Sequence, residues 1–186
     1  MSLSRRSLLA ALAQPLFAQT GPNPLPSEWG RYPDPATEFE VLRLTSSGHT
    51  SVMPAPPARA IDRRGRSLLY ASNRTGVWQT YLLDLGKGHS RALAAIEDLD
   101  PASLALSADD KAALLAAGPV LSSVPFSAML RPQELCRVRD GWTRAGGLAP
   151  TEDGTSLFFV ETRGEASQLR RVRLPRSAPE TVTERP

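Results

Sequence analysis

The chain has 186 residues, 41% of them hydrophobic, enough for one sizeable core or part of a larger one. Its net charge is only +3, from 22 Lys+Arg against 19 Asp+Glu, and no basic run is interleaved with aromatics, which argues against a nucleic-acid partner. A single cysteine, Cys136, excludes an intramolecular disulfide and a multi-cysteine zinc site, and no apolar run reaches the ~18 residues of a membrane-spanning helix.

The N-terminus reads as an address. Adjacent arginines, Arg5 and Arg6, precede Leu8-Leu9, and a short apolar stretch continues to Phe17, interrupted by Gln14 and Pro15. A basic region, a short apolar region and a small residue before a cut are the parts of a secretory signal. The arginine pair resembles a bacterial twin-arginine signal. Residues 1–18 are therefore expected to be a signal peptide, and the mature chain to be exported, to the periplasm or beyond the cell. Residues 19–37 contain Pro22, Pro24, Pro26, Pro33 and Pro35 and read as an extended, unpaired linker.

From residue 38 the chain is expected to be all strand. Residues 38–45 alternate and read as an extra N-terminal outer strand. A polar turn feeding an apolar strand then recurs three times, marked by Gly65, Asp110 and Gly154, at spacings of 45 and 44 residues. In the first copy, 58–62 is read as the inner strand, Ser67–Ser72 as the second, 78–85 as the third, and Ser90–Ala94 as the outer strand after the turn Gly86-Lys87-Gly88. In the second, the strands are placed at 102–106, Ala112–Ala117, 134–139 and 142–145. In the third, they are placed at 157–161, 168–174 and 180–183. Gln79, Gln133 and Gln168 are read as opening the third strand each time, which leaves nine extra residues as a loop insertion within 118–132.

A period of about 45 residues with several short strands per period is the mark of a β-propeller. The expected fold is all-β: a partial propeller of about three four-stranded antiparallel blades, at 46–94, 95–146 and 147–186, within a domain spanning 38–186. Rings close at about four to eight blades. Three blades leave open edges, so self-association is expected. Strand 39–45 in particular is expected to lack an edge to pair with, because 180–183 already takes the outer place of the last blade.

The segment from Leu68 to Leu93, with Ser72-Asn-Arg74-Thr-Gly76, Tyr81-Leu-Leu-Asp-Leu85 and Arg91-Ala-Leu93, resembles a repeat of the TolB-type propellers, and residues 152–174 repeat the likeness. That resemblance implies a non-catalytic scaffold that binds a protein or peptide partner and needs no cofactor. Arg43-Leu-Thr45 followed by His49-Thr-Ser51 is similar to the start of oligogalacturonate lyase propellers. That narrower likeness implies a metal-dependent enzyme acting on uronate oligosaccharides, with a divalent metal held by histidines from several blades. Only His49 and His89 are present. A third reading is the propeller portion of a larger peptidase.

Fourth-to-first and second-to-third loops of such blades share one end. That end is expected to carry the candidate binding residues His49, Arg74, Asp98, Asp100 and Arg163. His49 offers a metal ligand or a general base. Asp98 and Asp100 offer carboxylate oxygens to a cation. Arg74 and Arg163, each nine residues after its turn marker, offer guanidinium forks to a carboxylate, or hold their own loops. No nucleophile elbow, zinc-binding helix or phosphate loop is present, so no catalytic residue is assigned. Cys136 reads as a small buried strand residue.

Overall fold

The computed structural model describes residues 24–127, 131–174 and 178–185. The expected signal peptide lies outside them. Three four-stranded antiparallel sheets and one two-stranded hairpin make up the fold. Blade 1 is β3 (Ser51–Val52), β4 (Ser67–Ser72), β5 (Gln79–Asp84) and β6 (Ser90–Ala94). Blade 2 is β7 (Ala105–Leu106), β8 (Ala112–Ala117), β9 (Val120–Pro125) and β10 (Gln133–Arg137). Blade 3 is β11 (Thr143–Pro150), β12 (Ser156–Arg163), β13 (Ala166–Arg173) and β14 (Glu180–Arg185). Each runs as a meander in chain order, as the repeat implied. Among the described residues no helix is long and apolar enough to cross a membrane.

The repeated turn has one physical design. Its first residue, Asp62, Ser107 or Thr151, accepts a backbone bond from the fourth, Gly65, Asp110 or Gly154. Its side chain accepts from amides of the strand that follows. The fourth residue has φ of 64°, 58° and 73° in the three copies. That left-handed position explains the marker: glycine adopts it freely and Asp is among the few others that tolerate it. The turns also join the blades. Arg63 donates its backbone N–H to Asp110 Oδ2 (3.0 Å) and its side chain to the carbonyls of Ala108 and Glu152.

Alternation decides which face of each blade meets which neighbour. Leu69 and Ala71 of blade 1 pack with Leu104, Leu106, Ala113, Leu115 and Val124 of blade 2. The opposite residues of blade 2, Leu114, Ala116 and Leu121 with Leu135, pack with Leu148, Leu157, Phe159 and Val172 of blade 3. Leu68, Tyr70, Tyr81 and Leu83 face the other way from blade 1 and are covered by Leu25 and Leu44 of the N-terminal segment.

That segment departs from expectation. Gly30–Pro33 (β1) pairs with Glu40–Arg43 (β2), so the additional N-terminal strand finds its partner in the stretch read as an unpaired linker. Leu25 forms a bridge with Ser90 on the outer strand of blade 1. Gly88, at φ 74°, lets this strap approach: a Cβ there would lie 2.9 Å from the Trp29 ring.

The strands of blade 2 also lie elsewhere. Gly118 and Pro119 form a two-residue turn, and the third strand is Val120–Pro125, within the expected insertion. Gln133 therefore opens the outer strand, and the expected limit at 146/147 falls inside β11, the inner strand of blade 3. The inner strand of blade 1 is Ser51–Val52, and 58–62 keeps only the bridge Ile61 to Leu68. Pro54, Pro56 and Pro57 lie between them and have no N–H to give a ladder.

Candidate functional site

The antiparallel order sends loops 44–50, 73–78, 95–104, 138–142 and 164–165 to one end of the blades. All five candidate residues lie at or beside this end. They divide among three places and do not converge on one site.

The first place joins His49 and Arg74 through a residue that the repeat pattern does not single out, Glu28. Arg74 donates Nη1 to Oε1 (3.3 Å) and Nη2 to Oε2 (3.0 Å) of Glu28. His49 Nε2 lies 3.7 Å from the same Oε2. Arg74 also donates to the Tyr70 hydroxyl (3.0 Å), which donates in turn to Ser90 Oγ (2.8 Å). The guanidinium sits 4.8 Å from the Tyr81 ring, and Tyr81 stacks on Tyr70. Burial raises the pKa of both tyrosines, against a smaller opposing influence of Arg74. Both therefore stay neutral at physiological pH, as hydrogen-bond donors. Arg74 holds its loop and fastens the N-terminal strap.

The second place is the acidic loop. Asp98 has φ 55°, and its carbonyl accepts from the Gly118 N–H (3.1 Å). Asp100 caps the 3-10 turn Pro101–Ser103, with Oδ1 accepting from the Ala102 N–H (2.9 Å). Its Oδ2 is ion-paired with Arg144. The Asp100 carboxylate is thus already engaged by the chain itself.

The third place lies on blade 3. Arg163 stacks on Trp142 at 4.9 Å, and Arg139 approaches the same ring at 5.5 Å. Behind them Glu161 is fully buried against Arg170. Cys136 is buried beside this pair, and burial, reinforced by the Glu161 charge, pushes its thiol up to about 12. It is an unreactive core residue.

A groove beside the acidic loop was not singled out in the sequence. Residues 76–79 form one wall and 95–99 the other, enclosing about 660 Å³. Trp78 and Ile96 line it and continue into the core shared by blades 1 and 2. Val77 at its lip is 61% exposed. Glu97 and Asp98 add two exposed carboxylates. The available signal was an apolar pair, Val77-Trp78, directly after the loop glycine Gly76.

No family model matches the chain. No curated protein matches it either. Solved structures do. An oligogalacturonate lyase in complex with manganese matches with a TM-score of 0.80 and 24% identity, over 88% of this chain and 48% of that one. An oligogalacturonate lyase from Vibrio parahaemolyticus gives 0.79 and 18%, over 88% and 48%. TolB from Acinetobacter baumannii gives 0.61 and 19%, over 83% and 37%. A manganese ion does not fit the donor set described here. Among the described residues no three His, Cys, Asp or Glu side chains gather. His89 lies in the β5–β6 turn, at the opposite end from His49, and the carboxylate beside His49 is held by Arg74. The chain spans about half the length of the lyase structures it matches, and the likeness establishes its fold: consecutive blades of a β-propeller similar to those of oligogalacturonate lyase and TolB.

Proposed function

We propose that this chain is part of an exported β-propeller scaffold that binds a protein or peptide partner at the loop end of its blades. The groove of residues 76–79 and 95–99 carries the reading. An exposed valine beside a half-buried tryptophan is costly to leave in water and is typical of a surface that another chain covers. The two carboxylates beside it select the sign of the partner. The matching ligand is an extended segment with one bulky apolar side chain and a neighbouring Lys or Arg.

Random peptides displayed on phage and selected on the wild-type chain test this. The expected winners pair an apolar residue with a basic one. Isothermal titration with the winning peptide should show at least about tenfold weaker binding for Val77→Asp and a few-fold weakening for Glu97→Lys. Both positions are exposed, so circular dichroism should be unchanged. Winners that bind both variants as well as wild type would remove the groove from consideration.

The proposed export rests on Arg5-Arg6 and the apolar stretch after them. A fusion of residues 1–25 to a reporter is expected to leave the cytoplasm, and Arg5→Lys with Arg6→Lys to hold it back. Retention of the unaltered fusion in the cytoplasm would contradict export.

A further inference from the structure

We propose that Arg163, with Arg139 beside it, is a binding site for a carboxylate that comes from outside this chain. Arg74 and Arg163 hold the same place in the repeat, at the loop end of the second strand, nine residues after the turn markers Gly65 and Gly154. Each guanidinium sits against an aromatic ring, Arg74 4.8 Å from Tyr81 and Arg163 4.9 Å from Trp142.

The two arginines differ in their remaining partner. Arg74 holds a carboxylate in a fork, with Nη1 and Nη2 donating to the two oxygens of Glu28 at 3.3 and 3.0 Å. That carboxylate is not part of the repeat. It arrives on the N-terminal strap, which covers the face of blade 1 turned away from blade 2. Blade 3 turns the matching face to blade 2, and no carboxylate reaches Arg163 from there. Among the described residues Arg163 makes no hydrogen bond and no ion pair. Glu161, two residues before it, is buried and paired with Arg170. Asp140 and Glu165 are exposed in the adjoining turns, and among the described residues neither pairs with Arg163 or Arg139.

Two features prepare this place for an anion. The Trp142 ring is itself buried, so stacking takes water from one side of the guanidinium without using any of its N–H groups. Arg139 brings a second positive charge to the same ring, at 5.5 Å. It is held there by its turn: its N–H donates to Glu161 Oε1, its carbonyl accepts from the Trp142 N–H, and its Nη2 donates to Thr181 Oγ1. Two guanidiniums on one indole with no counter-charge repel each other, and a carboxylate received between them relieves that repulsion. The ligand group is the one that Arg74 already holds. It belongs either to an Asp or Glu side chain of a partner segment, as Glu28 is for Arg74, or to a small free acid.

NMR signals of the arginine Nε–H groups read the site on the full chain. The probes are succinate and a capped peptide with adjacent glutamates, added at constant ionic strength. Each is expected to shift Arg163 saturably, with half-saturation at roughly 1–10 mM, while Arg74, already held by Glu28, stays still. Arg163→Lys should weaken binding about tenfold, because an ammonium offers no fork. Arg163→Ala should abolish the saturable response at Arg139 and leave circular dichroism unchanged, since the position is exposed. Binding of the peptide at least about tenfold tighter than of succinate assigns the carboxylate to a partner side chain, and the reverse order assigns it to a free acid. An Arg163 signal that follows neither probe, or moves no more than that of Arg74, overturns the proposal. Undiminished binding by Arg163→Ala, read at Arg139, overturns it equally.

Discussion

Glu161→Ala is expected to destabilise the chain by about 3–5 kcal/mol, because it strands a buried guanidinium. Glu161 is fully buried on β12. Its Oε2 accepts from Arg170 Nη1 at 3.3 Å and its Oε1 from the Arg139 N–H at 3.2 Å. Arg170 is itself 7% exposed at its side chain, and its Nη2 donates to the Pro179 carbonyl at 2.8 Å. Removing the carboxylate leaves the charge and a backbone donor without their acceptor in the core between blades 2 and 3. Glu161→Gln keeps the shape and one acceptor, so it should cost less. Replacing both partners by leucine should restore much of the loss, since no unpaired charge then remains. Urea midpoints at constant slope give the comparison. A loss below about 1 kcal/mol for Glu161→Ala would mean that water reaches Arg170 and that the pair is not the buried one described.

What could be read in the sequence follows from where the determining contacts lie. The strands Ser67–Ser72 and Ser90–Ala94 were placed at their observed limits, and 78–85 overshot Gln79–Asp84 by a residue at each end. There a polar turn, an alternating apolar run and a glycine turn sit side by side in the chain. β9 was hidden because Pro119 and Pro125 bracket it and resemble loop punctuation, although a proline at a strand end costs no interior ladder bond. β3 is two residues long, too short to show any period. The pairing of β1 with β2 was missed because prolines marked the segment as linker. The loop end that gathers His49, Arg74, Asp98, Asp100 and Arg163 was legible from topology alone. Their partners were not. Glu28 is 46 residues from Arg74, and nothing local in its Pro-rich surroundings marks it. Arg144, which engages Asp100, lies on a different blade from the loop it holds.

Glu28→Ala is the second substitution with a large expected effect, about 2–3 kcal/mol, and it should act on one part of the molecule. Arg74 is 9% exposed at its side chain and Glu28 25%, so the pair is partly screened and the figure lies below that for Glu161. Without Glu28, the guanidinium remains between Tyr81 and the Tyr70 hydroxyl with no counter-charge. The Ser46 N–H also loses its acceptor, Glu28 Oε2. The strap then keeps the Leu25 bridge and the apolar contact of Leu25 and Leu44 with Leu68, Tyr70 and Leu83. Hydrogen exchange should accelerate at Leu25 and Ser46, and protease should cut within residues 24–46, while the amides of β8, β12 and β13 keep their protection. Arg74→Lys should behave like Glu28→Ala, because a single ammonium cannot reach both carboxylate oxygens and the tyrosine hydroxyl together. Uniform acceleration across all three blades would show that the strap and the blades unfold as one unit. Unchanged exchange at Leu25 and Ser46 would show that the apolar contacts alone hold the strap, and that Arg74 serves only its own loop.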